Sequence, residues 1–268
     1  MRIAEKHQEF VDPVAAYDYI APAYSDLSAQ HGKYLAAIEE LVVEQVPPES
    51  HSMLDIGSGD GTRALRVAQR AGIKEVVLLE PSSIMRTKIP QDVEIWPIRA
   101  EEICDYAPSQ GRQFDVITCL WNVLGHIRGW DARVRVLHQI CQSLSPRGRY
   151  FLDVQHRYNV RSYGMPKTVL RFLYDHVRPQ ATNGDVVASW RLKGATCSTF
   201  GHVFTNSEIL KMARKAGLKS VGRSVVDYQT GEIVHLRFQG NLLYYFRRTD
   251  ANDSARVFTT TSTSASVI

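Results

Sequence analysis

The sequence predicts an α/β fold, a mostly parallel sheet with helices on both faces. Three observations carry the prediction. Residues 53–63, Met-Leu-Asp-Ile-Gly-Ser-Gly-Asp-Gly-Thr-Arg, begin as a short apolar run, pass through three alternate glycines and turn helical in pattern. This is a buried strand entering a helix through a glycine turn, at the carboxyl edge of an open sheet where ligands bind. Short apolar runs then alternate with helical patterns as far as residue 154, as strand–helix–strand units do. Finally, residues 114–121, Phe-Asp-Val-Ile-Thr-Cys-Leu-Trp, are almost continuously apolar, as a parallel strand covered on both faces should be.

The glycine turn narrows the ligand. Its spacing is Gly-x-Gly-x-Gly over Gly57, Gly59 and Gly61, whereas dinucleotide folds show Gly-x-Gly-x-x-Gly. It also carries Asp55 and Asp60, which repel a diphosphate and suit a cation. The stretch resembles the first motif of the class I S-adenosylmethionine (SAM)-dependent methyltransferases, whose ligand has a sulfonium and no phosphate. The resemblance covers roughly residues 14–154. It implies a Rossmann-like class I methyltransferase fold of seven strands, an N-terminal helical cover and a late insertion. It also implies SAM as cofactor and S-adenosylhomocysteine as product, with Asp55, Gly57, Ser58 and Gly59 at the cofactor.

In chain order, residues 1–50 read as that cover, with helical spacing over 33–46 ended by Pro47-Pro48. The pattern Tyr17-Asp18-x-Ile20-Ala21-x-x-Tyr24 resembles the segment that folds over the cofactor in small-molecule methyltransferases. Tyr17 and Tyr24 either pack a helix onto the sheet or face ligands; the resemblance assigns Tyr24 to the cofactor and Tyr17 to the acceptor. The methyltransferase domain follows over 51–249. A helix over 62–71 leads to a second strand over 75–79, ending in Glu80-Pro81. Glu80 stands about 20 residues past the glycine turn, where an acid accepts ribose hydroxyls; a solvated strand end is the ordinary alternative. Residues 82–88 read as a helix in which Met85 lies beside the adenine or in the core. A third strand over 93–98 runs into Ala100 and Glu101, which the family resemblance places at the adenine, while Glu102 suits a helix start.

The fourth strand, 114–121, opens into Asn122-Val123-Leu124-Gly125-His126. A helix over 130–144 and a turn at 145–148 lead to a fifth strand over 149–154. The Leu-Ser-Pro-Arg-Gly stretch before it resembles the family's Leu-x-Pro-Gly-Gly signature, with Arg147 in place of the first glycine. Leu120 to His126, together with Asp153 to Asn159, resembles the loops of glycine and sarcosine N-methyltransferases. This implies Leu120, Trp121 and Asn122 at the cofactor, and His126, Arg157 and Tyr158 at the acceptor.

Residues 155–204 are expected to form an insertion or substrate lid. Its first part, to about 185, is a connection longer than compact domains usually use; one or two strands over 186–203, read as an added hairpin, complete it. Thr205-Asn206-Ser207-Glu208 reads as a capping box opening a helix to Gly217. Two strands over 219–228 and 242–248 complete the sheet. The Thr- and Ser-rich tail, 250–268, is expected to be disordered.

Composition sets the remaining bounds. The 268 residues are 44% hydrophobic and 22% charged, with a net charge of +4 and no dense Lys/Arg run, so nothing calls for a nucleic acid. No apolar run spans a bilayer and the start lacks a secretory apolar core, so a cytoplasmic protein is expected. The four cysteines lack CxxC spacing, and neither a metal nor a disulfide framework is expected. Methyl transfer from a sulfonium requires alignment of the acceptor and exclusion of water, and a general base helps when the nucleophile must lose a proton. The base candidates are His126 and His156, with His202 behind them; each also has an ordinary structural reading. The expected reaction is N-methylation of a small-molecule acceptor such as a secondary metabolite. The alternatives are O- or C-methylation with a histidine base, or a non-catalytic SAM- or nicotinamide-binding relative.

Overall fold

A computed structural model describes residues 11–192 and 195–249. Three short helices open it: α1 (Pro13–Ile20), α2 (Tyr24–Ala29) and α3 (Gly32–Gln45). Asp12 caps α1, its carboxylate accepting the Val14 N–H at 2.9 Å. Next come β1 (Ser52–Ile56), α4 (Thr62–Ala71), β2 (Glu75–Leu79), α5 (Ser83–Arg86) and β3 (Glu94–Trp96). These are followed by β4 (Phe114–Cys119), α6 (Trp130–Ser143) and β5 (Leu144–Val154). The glycine-bounded helix and the second strand match their sequence-based limits. The fifth strand starts earlier than expected: pairing jumps from Phe114 opposite Leu144 to Val116 opposite Arg149, so the expected turn is an excursion within the strand.

The seven-stranded sheet has the order β3-β2-β1-β4-β5, continued by β9 (Asn241–Arg248) and β8 (Leu218–Val226). The first five strands are parallel, and β9 is antiparallel to both β5 and β8. Leu54 of β1 stands between Val77 of β2 and Ile117 of β4, so the strand order reverses at β1. A ligand crevice is expected at such a switch point.

Alternate strand residues feed two cores. Leu54, Ile56, Ile117 and Leu152 pack with Leu137 and Ile140 of α6 and with Ile209 and Met212 of α9 (Asn206–Lys215). On the other face, Met53, Leu78, Val116 and Phe151 pack with Leu35 and Ile38 of α3 and Val67 of α4. The capping box at α9 is present: Thr205 Oγ1 accepts the Glu208 N–H at 3.1 Å, and the Glu208 carboxylate accepts the Thr205 N–H at 3.4 Å.

The stretch after β5, read only as a long connection, forms α7 (Val160–Tyr163) and α8 (Met165–Val177). The apolar residues of α8 lie along one side, but that side is exposed at Met165, Leu170, Leu173 and Val177, and Thr168 is the helix's only buried residue. A hairpin follows, β6 (Asp185–Leu192) with β7 (Ala195–His202), hydrogen-bonded as a separate two-stranded sheet. On β6, Val186, Ala188, Trp190 and Leu192 are the more buried alternation. His202 secures the hairpin's base, its ring nitrogens 2.6 Å from an Asp185 oxygen and 2.9 Å from a Glu208 oxygen. Val11 ties the chain before α1 to β7: its N–H donates to the Ser198 carbonyl at 3.1 Å, and its carbonyl accepts from Thr199 Oγ1 at 2.6 Å. The expected tail, 250–268, lies outside the described residues.

Candidate active site

The glycine turn forms one wall of a cavity at the carboxyl ends of β1, β2 and β4. Gly57, Gly59 and Gly61 have φ of 72°, 60° and 76°, a region that costs any residue with a Cβ. Space is lacking as well: a Cβ on Gly57 would stand 2.7 Å from both Val123 methyls, and one on Gly59 would stand 2.9 Å from the Tyr24 hydroxyl. The cavity encloses about 750 Å³ of empty space, mouth included.

Glu80, at the end of β2, is buried beside this turn. Its carboxylate accepts the Gly59 N–H at 2.7 Å and the Ser82 N–H at 2.8 Å. Burial pushes the carboxyl up to about 7, against the opposing pull of those two bonds. A carboxylate has about four acceptor positions, so room remains for two hydroxyls. Among the expected cofactor residues, Tyr24, Gly57, Gly59, Glu80, Pro81, Ala100, Glu101, Leu120 and Trp121 line the cavity. Asp55 and Ser58 stand behind the turn, with Asp55 accepting Thr118 Oγ1 at 2.5 Å and Ser58 Oγ donating to the Asp55 carbonyl at 2.9 Å. Met85 packs into a cluster with Ile20, Ala21 and Tyr24.

The turn after β4 is strained. Trp121 and Asn122 both adopt left-handed backbone, at φ of 58° and 63°. This is rare for a bulky residue, and such strain concentrates at functional sites. Asp153 of β5 holds the turn: its side chain accepts the Trp121 N–H at 2.9 Å and Tyr34 Oη at 2.5 Å, and its carbonyl accepts the Asn122 N–H at 3.0 Å. The Asn122 side chain is engaged within the protein, donating to the His202 carbonyl and accepting the Gln155 N–H, each at 3.1 Å. It therefore clamps the turn to the hairpin and to β5 and faces a second cavity, away from the glycine turn.

That second cavity, about 830 Å³ with its mouth, lies under the hairpin. It shares Tyr17, Tyr24, Trp121 and His126 with the first cavity. His126 is half-buried there. Its Nδ1 lies 2.9 Å from the Phe200 carbonyl, and its Nε2 lies 3.2 Å from the Tyr17 hydroxyl. Burial lowers its pKa and favours the neutral ring. Nδ1 must then donate to the carbonyl, and the Nε2 lone pair at the junction accepts the Tyr17 hydroxyl.

The structure corrects three expected positions, because His156, Arg157 and Tyr158 line neither of these cavities. Arg157 Nη2 donates to Asp175 at 2.5 Å and Tyr158 Oη donates to the same carboxylate at 2.5 Å, so α8 takes both side chains. Burial, helped by the nearby Arg223 charge, pushes the His156 pKa down to about 4. Sequence reasoning missed Arg63, Trp190 and Tyr228. Arg63 lines the first cavity, its guanidinium carbon 5.3 Å from the Trp121 ring centroid. It sits in the first turn of α4, where side chains tilt back toward the glycine turn, and that position was its signal.

A methyltransferase domain family matches residues 28–222, and the chain belongs to that family. Among curated proteins, the dTDP-4-amino-2,3,4,6-tetradeoxy-D-glucose N,N-dimethyltransferase of Saccharopolyspora spinosa is 34% identical over 131 residues, which cover 48% of this chain and 51% of the relative. The chain thus spans about half the length of the curated relative it matches. Solved structures share the fold, among them the following three. A SAM-dependent methyltransferase of Clostridium acetobutylicum has a TM-score of 0.60 at 14% identity, covering 87% of this chain and 99% of its own. DesVI of Streptomyces venezuelae has a TM-score of 0.58 at 15% identity, with coverages of 85% and 98%. The sugar N-methyltransferase KedS8 of Streptoalloteichus has a TM-score of 0.57 at 16% identity, with coverages of 85% and 93%.

SAM is accordingly the cofactor, and the cavity suits it. Its glycine wall is free of side chains, a buried carboxylate retains acceptor positions for a ribose, and Leu79, Ala100, Leu120 and Ile127 offer apolar surface to a base. Among the described residues no helix is long and apolar enough to cross a membrane.

Proposed function

We propose that the chain transfers a methyl group from SAM to the nitrogen of a small-molecule amine, of the natural-product kind that amino sugars exemplify. When bound, SAM supplies an electrophilic methyl group, and its sulfur retains the bonding pair as the methyl leaves. Glu80 receives the ribose hydroxyls, and the backbone of Gly57 and Gly59 lies against the nucleoside. Ala100, Glu101 and Leu120 bound the adenine, and Arg63 faces the amino acid carboxylate. Tyr24 and Trp121 close the cofactor cavity on the side it shares with the acceptor chamber.

One observation carries the reading: the Nε2 lone pair of a neutral histidine, accepting the Tyr17 hydroxyl at 3.2 Å, stands where the two cavities meet. An ammonium acceptor there gives its N–H proton to the Tyr17 oxygen as that hydroxyl passes its own proton to His126 Nε2, and the nitrogen pair is released for the new N–C bond. Tyr17 orients the ring through its hydroxyl. The dimethyltransferase relative and the sugar N-methyltransferase neighbour support nitrogen as the target. Incubation with SAM and a panel of amines, amino sugars included, should yield methylated amines by mass spectrometry. His126→Gln should lower kcat by about 10²-fold or more, the usual worth of a general base. An unchanged rate would remove His126 from that role.

A further inference from the structure

The walls of the acceptor chamber say what form of amine it takes. Five aromatic side chains bound it: Tyr17, Tyr24, Trp121, Trp190 and Tyr228. They are arranged as neighbours, with Tyr17 and Trp190 centroids 5.7 Å apart and Tyr24 and Trp121 centroids 6.0 Å apart. Trp121 Nε1 donates to Tyr228 Oη at 3.2 Å, which fixes the two rings relative to each other. Tyr228 is braced from behind by His31, stacked at 4.4 Å, and by Tyr34 at 4.9 Å. Among the described residues lining the chamber there is no lysine, arginine, aspartate or glutamate. The Arg63 guanidinium belongs to the cofactor side of Trp121.

We propose that this chamber is an aromatic cage that binds its acceptor as an alkylammonium ion through ring faces, and that the acceptor carries no phosphate. The inference rests on the reading of the chain as an amine methyltransferase and deepens it. Ring faces attract a weakly hydrated cation and cost little to desolvate. A diphosphate-linked sugar, by contrast, needs cationic partners for its charges, and a chamber walled by rings offers none. The cage also serves the transfer. Positive charge moves from sulfur to nitrogen between two cavities that share Tyr17, Tyr24 and Trp121, so it stays beside aromatic faces throughout. Methylation makes the nitrogen larger and less hydrated, and the rings hold it still. A cage of this kind accepts a once-methylated amine for a second transfer.

The test uses the full chain saturated with S-adenosylhomocysteine and a matched pair of probes. Choline carries a trimethylammonium group, and 3,3-dimethylbutan-1-ol replaces its nitrogen with carbon at nearly the same shape. Titration calorimetry and tryptophan fluorescence should show choline binding tighter by about tenfold or more, as cation–ring contacts allow. Trp190→Leu should erase most of that preference, whereas Tyr17→Phe, which keeps the ring, should retain it. Thymidine diphosphate should not displace choline. Equal binding of the two probes, binding of neither, or displacement by thymidine diphosphate would overturn the cage. The reading beneath it fails differently: choline would keep its preference while no amine in the panel became methylated.

Discussion

Glu80 is where the cofactor site can be tested most sharply. Its two oxygens already accept the Gly59 and Ser82 N–H groups at 2.7 and 2.8 Å, and the remaining acceptor positions are those that ribose hydroxyls would use. Glu80→Gln replaces one oxygen by an NH₂ group. That group meets a backbone N–H donor to donor and offers nothing to one of the hydroxyls. A hydrogen bond to a charged group contributes about 1.5–3 kcal/mol, so cofactor affinity should fall by roughly tenfold to a hundredfold. Burial holds the carboxyl at about 7, above its ordinary value. Its folded-state pKa is raised, so the folded protein keeps a proton that the unfolded chain releases, and the associated stability is lost as pH rises through about 7. Ligand binding runs the other way, because hydroxyls select the ionised form. With a pKa near 7, about a tenth of the molecules are ionised one pH unit below it and about nine tenths one unit above. SAM affinity should therefore rise by about tenfold from roughly pH 6 to roughly pH 8 and then level off. Near neutrality, calorimetry in buffers of different ionisation enthalpy should detect about half a proton released per cofactor bound. The Gln variant should show neither effect. A wild-type affinity that is flat across that range, or a Gln variant binding as tightly as wild type, would refute the reasoning.

Other positions give independent checks. Gly59→Ala places a Cβ at positive φ against the Tyr24 hydroxyl, so urea unfolding should show a loss of about 1–2 kcal/mol together with weakened cofactor binding; full retention of both would show that the turn relaxes freely. Asp153→Asn sets an NH₂ group against either Tyr34 Oη or the Trp121 N–H, and should cost about 2 kcal/mol and change the near-ultraviolet circular dichroism of tryptophan. His156, held down to about 4, excludes a proton that the unfolded chain takes up below its ordinary value near 6.5. Its contribution to stability is complete above that value and is lost as pH falls toward 4, so His156→Gln should flatten the acid limb of a thermal-shift profile. An unchanged limb would place the proton uptake elsewhere.

Much of this arrangement was legible because it is local in the chain. Gly61 and Gly72 bracket α4, and the run from Glu75 to Leu79 ends in Glu80, so spacing alone placed turn, strand and acid. What was not legible depends on partners far away in sequence. Arg157 and Tyr158 follow β5 closely, as in the resembling loops, yet Asp175, from a helix inside the stretch read as a connection, takes both. Asn122 follows directly on Leu120 and Trp121 of the first cavity, but His202 and Gln155 claim its amide from the hairpin and from the residue after β5. Tyr228 reaches the chamber from beyond β8 because the last strands fold back beside β5, a consequence of topology that no window of sequence displays.

The strained pair after β4 bears on how the protein is made. Trp121 and Asn122 emerge from the ribosome some thirty residues ahead of Asp153, the residue that accepts both of their backbone N–H groups. Until that residue is synthesised, the two N–H groups lack the acceptor that holds the left-handed backbone, and the lower-energy choice for both residues is an ordinary extended or right-handed one. Tyr34, on a helix made much earlier, waits for the same carboxylate. The junction between the two cavities is therefore absent from the growing chain and appears only when β5 docks beside β4. A truncated translation product ending before residue 153 would carry the glycine turn and its acid without the carboxylate that holds the turn after β4.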